Sequence, residues 1–268
     1  MEDLGHLGHV QLIHSMPELE EVSDGISNLD REVVHCARTS YGAERRPRGG
    51  DARLLRHLMR HRHTSPFEMV SVKLHIRCPV YVRTHFIRHR TAKVNELSQR
   101  FRASDGDAYI PDLRAQDPVN KQASVPASLD ASLGGRISRH VDECRRLYEE
   151  LLEEGVAREQ ARGVLPLGVY TEFVWCQDAH NLLKFIALRD ADDAQHETQL
   201  FAQAIKRILR NLMPCTVDAF DRYWNPRTTL SLTRDELRNV RIKAVDNPWF
   251  ESKSEEQEFW AKMKRVGS

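Results

Sequence analysis

The sequence predicts an α+β fold, and three observations carry that expectation. Two segments alternate apolar and polar residues with a period of two, Val70–Ile76 and Val169–Cys176. Several longer stretches repeat their apolar residues at helical spacing. Strands and helices do not follow one another in regular βαβ order, so a parallel doubly wound sheet is excluded.

Taken in order, His9–His14 reads as a first strand. Ser27 or Asn28 can cap a helix through Leu29, Val33, Val34 and Ala37. Residues 43–50 are a polar loop, and Asp51 caps a helix with Leu54, Leu55, Leu58 and Met59 on one face. Ser65-Pro66 closes that unit. In the next strand Val70, Val72, Leu74 and Ile76 point one way and Ser71, Lys73, His75 and Arg77 the other. Pro79 starts a helix over Val80–Arg90, followed by an Arg/Asn-rich loop to Arg102 and a surface excursion over 103–130. Leu133–Glu154 is a long amphipathic helix ended by Gly155. A short helix follows at Arg158–Val164, then the second alternating strand. Helices are expected over Ala179–Leu188 and Ala194–Met213, with Pro214 as the stop. Two more lie around Asp235–Val240 and Ser254–Val266 in the tail.

Composition narrows the function. A chain of 268 residues with 40% hydrophobic content can bury one elaborate core, here placed at about 9–225 with a helical extension at about 226–268. Forty basic against 39 acidic residues give a net charge of +1, which argues against a generally basic nucleic-acid binder. No apolar run reaches the ~20 residues of a membrane span. The N-terminus lacks the basic-then-apolar order of a secretory signal. Five scattered cysteines with no C-x-x-C pair read as reduced thiols. A cytoplasmic protein is expected.

Residues 57–102 hold the densest polar chemistry. His57, His61 and His63 share one helix end, but no carboxylate or cysteine completes a metal cage, so no metal is expected. His85 and His89 are interleaved with Arg83, Arg88, Arg90, Arg100 and Arg102, surroundings that suit an anion better than a dication. The embedded Val94-Asn95-Glu96-Leu97-Ser98 adds the mixture of donors and acceptors that phosphates, hydroxyls and amide edges require.

Arg88-His89-Arg90, seven residues and then Ser98, inside RHRTAKVNELSQRF, resembles the signature of the flavin-dependent thymidylate synthases, the ThyX family. Four further segments resemble that family in the right order: Ala37-Arg38-Thr39-Ser40-Tyr41; His63-Thr64-Ser65-Pro66-Phe67-Glu68; Ala161-Arg162 with Leu165-Pro166; and Asn181 through Arg189 with Ala194-Gln195. The resemblance covers roughly residues 30–225. It implies a twisted, mostly antiparallel sheet flanked by long helices, and a homotetramer with composite sites between chains. It also implies methylation of uracil C5 of UMP or dUMP, with methylenetetrahydrofolate as one-carbon donor and FAD, reduced by NADPH, as reductant.

Residue by residue, the resemblance assigns Ser40, Ser65, Arg88, His89, Arg90, Glu96, Asp178, His180, Lys184 and Leu188 to the flavin. His63 falls beside flavin and folate. Glu96, Ser98, Gln99 and Arg100 line the nucleotide's sugar and phosphate, with Arg88 and His85 on the same side. Arg162 and Arg189 hold the uracil. Ser98 has no histidine and carboxylate arranged to make it a nucleophile. Cys215, followed by Thr216 rather than His, reads as a buried structural thiol.

Departures from the family pattern fall on the sugar side. His85 follows Thr84 where Arg-Gln is usual, and Gln99 replaces a glycine. Lys93 and Lys184 replace smaller or neutral residues. Some relatives in nucleoside-antibiotic pathways, such as the polyoxin-pathway methylase, act on UMP as well as dUMP, and these departures favour such a member. The competing expectations are a dUMP-specific thymidylate synthase and, from another class, a nucleic-acid-binding module using the Arg/His patch.

Overall fold

The computed structural model describes residues 1–20, 25–40, 50–98, 100, 106–229, 256–257 and 259–260. Close contacts divide the chain into two compact units, Met1–Thr229 and Leu230–Ser268.

The first unit begins with β1 (Glu2–Asp3) and β2 (His9–Met16). Gly8, between them, has φ +131°, and an added Cβ would lie 2.0 Å from the Arg77 carbonyl oxygen, so only glycine fits this approach. Helix α1 (Asn28–Thr39) starts at Ser27, whose hydroxyl accepts from the Asp30 N–H at 3.0 Å. Helix α2 (Asp51–Arg60) is capped by Gly50 with no side-chain bond. Asp51 is therefore the first helical residue rather than the cap, and its carboxylate pairs with Arg38 at 2.7 Å.

A 3-10 turn at Ser65–Met69 leads into β3 (Ser71–Pro79), whose alternation is as expected: Val72, Leu74 and Ile76 are buried. Helix α3 (Val80–Phe86) is shorter than the spacing predicts. The chain leaves the helix after Phe86, so Arg88-His89-Arg90 lies in turns. It then forms β4 (Lys93–Glu96) where a loop was expected. The physical reason is tertiary: Lys93, Val94, Asn95 and Glu96 pair antiparallel with Cys176, Trp175, Val174 and Phe173, a partner about eighty residues away. A small hairpin, β5 (Arg114–Gln116) with β6 (Ser124–Pro126), occupies the 103–130 excursion.

Helix α4 (Ser132–Glu153) packs on α5 (Arg158–Ala161) and the 3-10 turn after it. Strand β7 (Tyr170–Asp178) follows, then α6 (Ala179–Arg189), α7 (His196–Leu212) and α8 (Pro214–Tyr223). Pro214 is both stop and start: it opens α8 at a first-turn position, where its missing N–H costs nothing. Asp30, fully buried, closes this junction by accepting from Cys215 N–H, Thr216 N–H and Thr216 Oγ1 at 3.0, 3.0 and 2.7 Å.

The large sheet has the order β1-β2-β3-β7-β4, with every pairing antiparallel. Helices α3, α6 and α7 pack against it, and α1, α2 and α8 complete that side. The fold is thus α+β with a mixed helical and antiparallel-sheet core. Phe86 anchors it, in ring contact with Phe173, Trp175, Phe185 and Phe201 at 4.9–5.8 Å. Cys215 is half-buried rather than buried, and its Sγ donates to the Gly25 carbonyl at 3.4 Å. In the second unit Glu256, Gln257, Phe259 and Trp260 are helical, within the Ser254–Val266 expectation. The Asp235–Val240 expectation lies outside the described residues. No helix among the described residues is long and apolar enough to cross a membrane.

Candidate nucleotide and cofactor site

The turn after α3 and the C-terminal half of α6 converge. Phe86 and Phe185 stack at 4.9 Å in the core, and the His89 ring meets Phe185 edge-on at 4.9 Å. Arg189, at the end of α6, donates from Nε to His89 Nε2 at 3.3 Å. This bond uses the lone pair of a neutral imidazole. Burial, then the charges of Arg189 and Lys184, lowers the His89 pKa to about 4. His85 is lowered by burial first and by Arg189 next, and it is hydrogen-bonded by the Gln195 side chain. Gln195 Nε2 in turn donates to the Glu197 carboxylate at 2.9 Å.

Arg189 itself is only partly exposed. Burial and then neighbouring Arg88 make its charge less favourable, and among the described residues no carboxylate pairs with it. A partly desolvated guanidinium that also feels the charge of Arg88 suits an anion or a group that develops negative charge. His85, Arg88, His89, Lys184 and Arg189 therefore form one cationic cluster with two neutral imidazoles inside it.

A second group surrounds α6's N-terminus. Asp178 caps the helix, accepting from Asn181 N–H at 2.9 Å. His180 stacks on Trp224, with centroids 5.3 Å apart and planes at 22°. A small cleft here is lined by Arg62, His63, Thr64, His180, Leu183 and Trp224, among others. Helices α1 and α6 both pack on the Ser65–Met69 turn, which brings Ser65 to this end of α6. Ser40 is the residue that caps α1 at its C-terminal end. The rings of His57, His61 and His63 lie 4.4–6.2 Å from one another. Among the described residues no group of three or more His, Cys, Asp or Glu is placed to hold a metal ion.

A third group lies elsewhere on the chain. Glu96 accepts from Arg83 and, at 2.8 Å, from Thr171 Oγ1. Part of its acceptor capacity is therefore committed within the fold. Arg100 pairs with Glu159 at 3.3 Å and takes its N–H to Ser98 Oγ at 3.4 Å. That ion pair brings the loop to α5, whose C-cap is the exposed Arg162. Among the described residues no hydrogen bond or ion pair links Arg162 to the Arg189 cluster. Arg90 is exposed at the turn, and Gln99 lies outside the described residues.

Sequence reasoning passed over Thr171, Glu197, Arg62 and Trp224. Thr171 and Glu197 sit in segments whose alternation or periodicity marks only core faces. Nothing in the spacing ties residue 62 to residue 224.

Arg189 at the end of α6 and Arg88 in the turn after α3, with the imidazoles of His85 and His89, give this α+β fold a cationic cluster suited to an anionic group. The Thymidylate synthase complementing protein family model matches residues 21–215, and the chain belongs to that family. It is 46% identical over 213 residues to a flavin-dependent thymidylate synthase of Thermus thermophilus, covering 79% of this chain and 78% of that one. The Dictyostelium discoideum flavin-dependent thymidylate synthase is 36% identical over 263 residues, covering 96% and 84%. Among solved structures, the UMP/dUMP methylase PolB from Streptomyces cacaoi bound with 5-Br UMP matches with a TM-score of 0.68 and 31% identity, covering 83% of this chain and 96% of that chain.

Proposed function

We propose that this chain catalyses flavin-dependent methylation at C5 of the uracil of dUMP, UMP or both. One observation carries the reading: Arg189, partly desolvated and beside Arg88, has no carboxylate partner among the described residues. The names of the relatives, flavin-dependent thymidylate synthases and a UMP/dUMP methylase, support the same reaction.

Uracil O2, O4 and N3 accumulate negative charge as C5 becomes nucleophilic. Guanidinium groups at the base edge stabilise that charge more in the transition state than in the ground state. Arg189 takes this role, oriented by its bond to His89. Arg162 is the second guanidinium. It caps α5, to which the Arg100–Glu159 ion pair brings the loop of Ser98 and Arg100; that loop we assign to the sugar and phosphate with Gln99 and Glu96. Because no hydrogen bond or ion pair among the described residues links Arg162, Ser98 or Arg100 to Arg189, we place them in one copy, facing Arg189, Arg88 and His85 of another. Such a shared site requires at least two copies, and we assign the homotetramer that the family resemblance implies.

The residues fit a flavin dinucleotide. Exposed Arg88, Arg90, Lys184, Ser40 and Ser65 suit a pyrophosphate and its hydroxyls, and the half-buried imidazoles of His89 and His180 suit a ring edge. We assign FAD to these groups, with Glu96 and Asp178. His63 faces the one-carbon donor, methylenetetrahydrofolate. Bound flavin, reduced by NADPH, supplies the electrons. The chain holds substrate and donor in register and keeps His89 and His180 neutral beside them.

The test is conversion of dUMP and UMP to their 5-methyl products by the purified protein supplied with FAD, NADPH and methylenetetrahydrofolate. Product from either nucleotide, dependent on flavin, is expected. No product from both, with flavin bound, would overturn the reading.

A further inference from the structure

Arg62 stands where glycine is cheapest. It is the one non-glycine residue with positive φ among the described residues, at 59°. The end of α2 explains why: His63 N–H donates to Leu58 O at 2.9 Å and Arg62 N–H to Met59 O at 3.2 Å. That bonding pattern places Arg62 at the left-handed position of a helix C-terminus, the place glycine usually takes. A side chain kept there against steric preference has a use. Although exposed, this side chain does not simply run into solvent. Its guanidinium carbon lies 4.4 Å from the Trp224 ring centroid, within cation–π range. Trp224 in turn stacks on His180.

We propose that Arg62 and Trp224 are positioning residues that hold the His180 ring aligned in the wall of the cleft it shares with His63. The inference rests on the reading above for what that cleft receives. Trp224 supplies the flat surface, and Arg62 pins Trp224 from its αL perch after α2. The groups that face His180 are Asp178 and Lys184 on its own segment, Glu68 on the 3-10 turn, and Arg62. Burial lowers the His180 pKa most, Lys184 and Arg62 push the same way, and the two carboxylates oppose them.

The test uses the full chain as purified, with ring-labelled histidines titrated by NMR and the His180 resonance assigned through His180→Gln. The wild-type midpoint is expected below 6.5. Arg62→Gly removes both the cation and the backbone strain, so its midpoint should rise while the melting temperature holds or rises. Trp224→Leu should also raise the midpoint, and Arg62→Lys should return it towards wild type. FAD affinity, measured by equilibrium dialysis, should fall several-fold in Arg62→Gly and Trp224→Leu and recover in part in Arg62→Lys. An unmoved His180 midpoint in Arg62→Gly overturns the proposal. So does a lowered melting temperature in that variant, which would make Arg62 a structural residue. A moved midpoint with wild-type FAD affinity in Arg62→Gly, Trp224→Leu and His180→Ala alike leaves the positioning of His180 in place and removes flavin from that wall.

Discussion

Arg189 Nε donates to His89 Nε2 across a separation of 100 residues, at 3.3 Å. The bond assigns the His89 proton to Nδ1, because Nε2 is the acceptor.

The first prediction concerns the two base-edge arginines. Arg189→Ala and Arg162→Ala should each lose turnover by about 10²–10³-fold, as expected for a charge-assisted contact that strengthens in the transition state. Both should keep bound flavin by absorbance. Near-normal turnover in either variant would remove that residue from the role given to it.

His89 makes stability depend on pH. Its folded pKa, about 4, lies below the ordinary 6.5. Between those values the unfolded chain binds a proton that the folded chain does not, so stability falls as pH drops through that window and is insensitive to this group above it. His9, His85 and His180, also lowered, act in the same direction. Denaturant midpoints measured from about pH 7 to about pH 4 should decline in the wild type, and less steeply in His89→Gln. Equal slopes in the two proteins would contradict the neutral imidazole.

No protein nucleophile is required. Ser98→Ala and Cys215→Ala should both retain measurable methyl transfer. Cys215 Sγ is engaged with the Gly25 carbonyl at 3.4 Å, and Ser98 Oγ accepts from the Arg100 N–H. Complete loss in either variant, with fold and flavin intact, would count against the proposed chemistry.

Asp30 is a structural carboxylate. It accepts three hydrogen bonds where α1 meets the start of α8. Asp30→Ala should destabilise the fold by about 2 kcal/mol or more, since it removes a helix cap and leaves buried donors unpaired. Chemical denaturation reads this directly, and a change under about 0.5 kcal/mol, ordinary for a surface site, would refute it.

The last prediction concerns the sugar. His85 is held by Gln195, which is itself tied to Glu197 at 2.9 Å, so its ring is fixed beside Arg88 and Arg189. A neutral imidazole there can partner a 2′-hydroxyl, whereas rejecting UMP requires crowding or leaving that hydroxyl unpaired, at about 1–3 kcal/mol. Paired kinetics should show UMP turned over alongside dUMP, with His85→Gln shifting the ratio towards dUMP. If dUMP is methylated and saturating UMP gives no product, the enzyme is dUMP-specific.

Alternation alone determined that β3 and β7 are half-buried strands, because a period of two leaves one face apolar whatever the partner. Ser27 determined the start of α1 by its own hydroxyl. The order of five short motifs determined the family, because those residue types answer to the chemistry of one ligand set. The tertiary structure alone decided that residues 93–96 form a strand, since a segment with three exposed residues has no local reason to extend until β7 offers its backbone. It also decided that α3 stops at Phe86, where the aromatic cluster holds the side chain, and that Pro214 opens a helix, where buried Asp30 receives the first-turn N–H groups. The meetings of Arg189 with His89 and of Arg62 with Trp224 are equally invisible in the spacing. Each joins residues at least 100 positions apart, and only the packing of the helices on one sheet brings such pairs within a few ångströms.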